Sequence, residues 1–300
     1  MLRLTDGGME TTLIFREGIE LPEFAAFPLL AAESGRAALR RYFEPYVELA
    51  GRLGAQLVLD TPTWRANVDW GEKLGYSPEE TDQASRDGVA LLAELRADAR
   101  GEPAVLICGC IGPRGDAYDG TVRMSPEEAE AYHARQVRVF AETDADLISG
   151  LTMPTVEEAL GIARAAVAAF MPVVISFTVE TDGRLPSGLP LGEAIERVDA
   201  GTDGAPRYFM INCAHPTHFE PTLAEGGAWR KRIKGIRANA SRQSHAELDE
   251  LGLLDAGDPA ELATAYLALR PHLPGLEVLG GCCGTDHRHI AAIAEAWLAE

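Results

Sequence analysis

Nowhere in its 300 residues does the chain carry an apolar run approaching the ~20 residues needed to cross a bilayer. Its start, Met1-Leu-Arg-Leu-Thr-Asp6, lacks the apolar stretch of a secretory signal, so the expected location is cytoplasmic. Positive charge is scarce. The 27 Lys and Arg face 46 Asp and Glu, a net charge of −19 that would repel a phosphate backbone or an anionic membrane surface. Neither nucleic acid nor membrane is therefore an expected partner, and the oligomeric state is left open. With 30 Gly and 18 Pro the chain is not of low complexity, and 46% hydrophobic residues suffice for a sizeable core. Cysteine is also sparse, five in all, an odd number that includes the adjacent pair Cys282-Cys283. Neighbours in sequence are poorly placed to bridge each other, which argues against a disulfide framework and for metal or thiol chemistry.

What the chain has is a repeated alternation. Short β-branched or apolar runs at residues 2–5, 56–60, 104–108, 147–150, 173–178, 208–212, 233–238 and 277–280 are each followed by a longer amphipathic stretch. The helical stretches are 37–53, 79–100, 126–142, 156–169, 191–200, 219–228, 259–270 and 287–299. Ser77-Pro78-Glu79-Glu80 and Ser125-Pro126-Glu127-Glu128 each set Ser as N-cap, Pro in the first turn and carboxylates where the helix dipole favours them. Eight strands alternating with eight helices, and no Pro/Gly/Ser-rich linker to divide them, predict a single α/β domain over residues 1–300: a (β/α)8 TIM barrel. The irregular stretches 15–30, 61–76 and 180–190 follow predicted strands and so belong to the C-terminal rim, where barrel active sites are built.

Cys213, in Met210-Ile-Asn-Cys-Ala-His-Pro216, follows the sixth strand, and Cys282 and Cys283, in Leu279-Gly-Gly-Cys-Cys-Gly-Thr285, follow the eighth. All three reach the same rim. Consecutive strand residues point to opposite faces, so both members of the pair can ligate only where the chain turns, and Gly280, Gly281 and Gly284 supply that freedom. Three thiolates make an open zinc site, since closed structural sites take four protein ligands. Such a soft, electron-rich site activates water poorly, but it binds a further thiol as a nucleophilic thiolate. A free thiol, with a pKa near ~8.5, is mostly protonated at pH 7. A small thiol substrate is the expectation. Cys108 and Cys110 read instead as barrel core.

Together, Asp6-Gly-Gly-Met-Glu-Thr11, Ser176-Phe-Thr-Val-Glu180, Asn212-Cys-Ala-His-Pro216 and Gly280-Gly-Cys-Cys-Gly-Thr285 resemble the homocysteine S-methyltransferase family from end to end of the chain. The resemblance implies a barrel whose Cys213, Cys282 and Cys283 hold Zn2+. It further implies homocysteine as acceptor, methionine as product in methionine biosynthesis, and a donor that is a sulfonium (S-methylmethionine or S-adenosylmethionine) or betaine. It favours Asp6 as holder of the substrate ammonium over an exposed turn residue. The Gly7 and Gly8 amides read either as carboxylate donors or as a tight turn, and Ser176 and Thr178, on one strand face, as substrate contacts or barrel filling. Asn212 joins the substrate-binding candidates. His215 reads as a supporting residue rather than a fourth ligand, and His287 and His289 as solvent-facing or capping. Trp64, Trp70 and Tyr76 either wall a donor pocket, where an aromatic face attracts a sulfonium, or pack on the barrel.

Two departures from the family pattern fall on the substrate side. Gly150-Leu151-Thr152 stands where the family shows Glu-Thr, so a carboxylate is missing, and Thr61-Pro-Thr-Trp64 has Pro where Asn is common. A different small thiol or selenol is therefore an alternative acceptor. A barrel that keeps the metal and captures thiols without turnover is an alternative of another class.

Overall fold

The computed structural model describes residues 1–99, 103–118, 124–251 and 253–299. Strand and helix alternate throughout. The strands are β1 (Arg3–Leu4), β2 (Gln56–Asp60), β3 (Val105–Ile111), β4 (Leu147–Met153), β5 (Val173–Phe177), β6 (Phe209–Asn212), β7 (Ile233–Ala238) and β8 (Val278–Gly281). Each pairs in parallel with the next and β8 pairs with β1, which closes the barrel. The helices are α1 (Met9–Phe15), α2 (Glu33–Leu53), α3 (Val68–Lys73), α4 (Pro78–Asp98), α5 (Pro126–Ala141), α6 (Val156–Ala168), α7 (Leu191–Thr202), α8 (Pro216–Ala224), α9 (His245–Leu251), α10 (Pro259–Ala268) and α11 (His287–Ala299). The chain is a single-domain (β/α)8 TIM barrel.

Period-two alternation sorts the strand residues into two apolar layers. Leu57, Leu59, Ile107, Ile175 and Ile236 face the helices, whereas Val58, Cys108, Cys110, Val174, Met210 and Val278 fill the interior. Cys108 and Cys110 are buried there, as expected of barrel filling. Both Ser-Pro-Glu-Glu starts form complete capping boxes, Ser77 with Glu80 and Ser125 with Glu128.

The differences from expectation lie at ends. The expected helix 79–100 runs Pro78–Asp98, and its expected last residue, Arg100, lies outside the described residues. The helix expected at 219–228 instead begins at Pro216, because His215 caps it, and ends at Ala224. The third and fourth strands each continue three residues further toward the rim. In β4 the pairing register shifts between Gly150 and Met153, where Thr152 takes a positive φ of 64°. Three short helices, α1, α3 and α9, stand in segments that show no period, since six or seven residues span fewer than two turns.

Candidate active site

Backbone hydrogen bonds between the ends of β6, β7 and β8 bring the three rim cysteines together. The Cys213 N–H donates to the Arg237 carbonyl (3.1 Å), the Cys282 N–H to the Ala238 carbonyl (2.8 Å) and the Ala240 N–H to the Cys283 carbonyl (3.0 Å). Cys213 sits in the left-handed region at φ 55°, a conformation that costs a side-chain-bearing residue about 1–2 kcal/mol. Its preceding residue holds it there. Asn212 Oδ1 accepts from the Thr152 N–H (3.0 Å) and the Ser176 hydroxyl (2.6 Å), while Asn212 Nδ2 donates to Thr152 Oγ1 (2.7 Å). After the pair, Gly284 turns the chain at φ 81°. The three Sγ atoms end within 4.8 Å of one another, Cys213 and Cys283 at 3.9 Å, and form the one such ligand group among the described residues. The thiols of Cys282 and Cys283 hydrogen-bond toward Cys213 and hold its pKa well below the ordinary thiol value. The same bond pushes Cys282 up to about 12. A divalent cation bound there would hold all three as thiolates, releasing their protons.

Beside the cysteines lies a charged cluster that sequence reading missed. The Arg237 guanidinium on β7 donates through Nη2 to Asp6 Oδ1 (2.5 Å), through Nη1 to Asp60 Oδ2, and through Nε to the Gly281 carbonyl (3.2 Å). The remaining carboxylate oxygens are also taken: the Tyr42 hydroxyl lies 3.0 Å from Asp6 Oδ2, and the Ser149 hydroxyl donates to Asp60 Oδ1 (2.9 Å). All three charged side chains are buried. For Asp6, burial outweighs the Arg237 charge and raises the pKa to about 6. Thus Asp6, expected to meet a substrate ammonium, already has a cationic partner within the chain.

The other expected substrate contacts separate into two groups. Gly7 and Gly8 line the cavity over the cysteines, but the Gly8 N–H donates to the Thr285 carbonyl (3.0 Å) and so is not a spare carboxylate donor. A side chain at Gly8 would run into the Cys282 carbonyl. Ser176, Thr178 and Asn212 are fully buried and lie outside the cavity lining. Ser176 and Asn212 form a hydrogen-bonded cluster with Thr152 next to Cys213, and Thr178 Oγ1 is buried with no hydrogen-bond partner among the described residues. His215 accepts at Nδ1 from the Thr217 N–H (3.3 Å) as the α8 cap, not as a ligand. His287 is exposed, while His289 is buried, with Nδ1 at 3.1 Å from the Asp286 N–H. Of the aromatic trio only Trp64 lines the cavity; Tyr76 packs edge-on to Phe27, and Trp70 stacks against Arg65.

The cavity holds about 400 Å³, in the range of small-molecule sites. Besides the residues above, it is lined by Glu10, Arg65, Tyr118 and Leu151. Burial pushes the Glu10 carboxyl up to about 7. Asp60 and Arg237 each sit near the C-terminal end of a strand, Asp60 as its last residue, and a charge there inside an apolar run was the available signal for both.

A closed parallel barrel thus carries at its C-terminal rim three converging thiols, a donor set that suits a soft metal ion. A profile of the homocysteine S-methyltransferase family matches residues 3–297. The chain is 24% identical over 314 aligned positions to homocysteine S-methyltransferase 4 of Zea mays, covering 98% of this chain and 88% of that protein. It is 26% identical to betaine–homocysteine S-methyltransferase 1 of Pongo abelii over 71% of this chain, and the match spans 57% of that longer protein. The metallated form of the homocysteine methyltransferase MmuM from Escherichia coli has the same fold, with a TM-score of 0.74 at 21% identity over 98% of this chain and 96% of that one. The chain belongs to the homocysteine S-methyltransferase family and is a methyltransferase.

Proposed function

We propose that this enzyme transfers a methyl group from a sulfonium donor, S-methylmethionine or S-adenosylmethionine, to the sulfur of homocysteine, giving methionine. Cys213, Cys282 and Cys283 would hold Zn2+. The observation that carries this reading is the convergence of three sulfurs on the wall of a cavity, with no fourth protein ligand among the described residues. Three soft donors and one vacant position suit zinc poised to take a substrate thiol. Bound zinc would supply the acceptor as a thiolate at neutral pH. The chain's own residues do the rest. Trp64 and Leu151 form part of the apolar cavity wall beside the cysteines, and the Asn212 hydrogen bonds hold Cys213 in its place at the rim. As the acceptor sulfur forms its new bond to the methyl carbon, the donor S–CH3 bond breaks and its electron pair stays on the departing neutral thioether. The names of the Zea mays and Escherichia coli relatives support homocysteine and a metal. A cytoplasmic location and a place in methionine biosynthesis belong to the same proposal.

A second reading rests on Arg237. Both oxygens of Asp6 are engaged within the chain, and Leu151 adds no second acid, which favours a different small thiol or selenol as acceptor. A panel of donors (the two sulfoniums and betaine) against acceptors (homocysteine, other small thiols and selenocysteine) on zinc-loaded protein decides between them. Methionine as the dominant product supports the first reading; a faster alternative acceptor supports the second. No methylated product from any pair would leave a thiol-capturing barrel. In parallel, Cys283→Ala should lower zinc from one per chain to near none by atomic absorption, while Cys108→Ala should leave it nearly unchanged. Full zinc in Cys283→Ala would remove the basis of the proposal.

A further inference from the structure

The Arg65 side chain is only 10% exposed, yet no described residue accepts a hydrogen bond from it, and its buried Nε has no partner. The nearest carboxylate, that of Asp116, stands 3.9 Å away, beyond hydrogen-bonding reach, and is itself half exposed. What holds the guanidinium is stacking: its Cζ lies 3.6 Å from the Trp70 ring centroid and 4.7 Å from that of Trp64. A planar cation gripped through its faces keeps its edge, where all five N–H groups lie, for something else. Leaving the buried Nε–H of that edge without a partner is unfavourable. Burial correspondingly lowers the pKa of Arg65.

Arg65 lines the same cavity as Cys213, Cys282 and Cys283. The cavity's other guanidinium, Arg237, is committed to Asp6 and Asp60. We propose that Arg65 binds the carboxylate of one of the two substrates, an assignment that rests on the thiol and donor reading above. A carboxylate is planar, anionic and bidentate, and so matches the unfilled edge. An ammonium or sulfonium group would be repelled by it. Trp70, outside the cavity lining, is a positioning residue that keeps the fork in register. The carboxylate can belong to the acceptor or to the donor, because both classes of amino-acid substrate carry one.

Two matched pairs separate these sources. Homocysteine is compared with 3-aminopropane-1-thiol, and S-methylmethionine with (3-aminopropyl)dimethylsulfonium; the second member of each pair lacks only the carboxylate. Binding of each to zinc-loaded wild type, Arg65→Gln and Arg65→Lys is measured by isothermal titration calorimetry. In one pair, loss of the carboxylate should weaken binding to wild type by at least about 10-fold, the scale of one charge-assisted hydrogen bond. Arg65→Gln should erase that difference, and Arg65→Lys, which keeps the charge without the fork, should retain part of it. The pair that responds identifies the source. Equal binding to wild type within both pairs overturns the assignment, as does a difference that survives in Arg65→Gln. If Arg65→Gln fails to fold, the wild-type and Arg65→Lys comparisons still decide. Methyl transfer in the same samples reads the parent proposal separately: absent turnover with intact carboxylate discrimination defeats the transfer reading and leaves Arg65 as a carboxylate site.

Discussion

Arg237 binds two buried carboxylates at once, so removing it should be costly in a particular way. Arg237→Met would leave Asp6 and Asp60 without a counter-ion in the barrel interior, and breaking a buried pair from one side costs about 3–5 kcal/mol. Asp6 already titrates near 6, above the ordinary carboxylate value. A folded pKa above the unfolded one means that the folded state holds the proton more tightly. Its favourable contribution is complete at low pH and is lost as pH rises through about 6. Without the guanidinium that preference can only grow, so the Arg237→Met deficit in urea unfolding should be larger at pH 7.5 than at pH 5. A pH-independent deficit would mean that packing, not charge, is what Arg237 provides. The sequence displayed little of this cluster. The cysteines were legible because glycines and strand ends marked their place on one rim. The pairing of residue 237 with residues 6 and 60 exists only once β7, β1 and β2 share a barrel mouth, and Arg65 acquires meaning only when Trp64 and Trp70 are seen to clamp it. Ser176 and Thr178 were read as sharing one strand face, but depth along the barrel axis is not encoded in a period of two.

Among the elements, those with a long period or a cap were legible. Ser77 and Ser125 marked α4 and α5 to within a residue at their starts, and β2 and β7 ran as read, because alternating burial and capping chemistry are local. β1, with two paired residues, and α1, α3 and α9 depend on their neighbours for order. The start of α11 shows such a dependence in measurable form. Asp286, just before the helix, accepts from the Arg288 N–H (3.0 Å), the Arg288 side chain (2.7 Å) and Arg16 of the segment after α1 (2.9 Å). Burial alone would raise its pKa, but the hydrogen bonds of His289 and Arg288 and the charge of Arg16 outweigh it and hold the carboxyl well below its ordinary value. A depressed carboxylate pKa adds stability above about pH 4 and loses it as pH falls further. Asp286→Asn should therefore be about 1–2 kcal/mol less stable at pH 7, with the gap to wild type starting to close near pH 4 and narrowing further as pH falls below 3. A gap unchanged over that range would show that an uncharged hydrogen-bonding side chain serves as well.

At the scale of the whole molecule, closure and chemistry are built from different residues. The barrel is closed by β1 between β8 and β2, where the Arg3 side chain also bonds Gln56 (2.8 Å) at the start of β2 and Glu277 (2.9 Å) just before β8. The apolar layers are continuous without the cysteines of the rim, which sit at or beyond strand ends. A metal at those sulfurs should accordingly stabilise a fold that already exists rather than create it. A ligand that binds only the native state adds RT ln(1 + [L]/Kd), about 4 kcal/mol at a thousandfold excess over Kd, or a rise in Tm of roughly 5–10 °C for a chain of this size. Protein stripped with a chelator should keep its far-UV circular dichroism and lose that increment. Re-added zinc should restore it in wild type and Cys108→Ala, and have no effect on Cys283→Ala. If chelation instead unfolds the chain, the cysteines hold the barrel together, and a site with one position open to substrate would give way to a closed structural one.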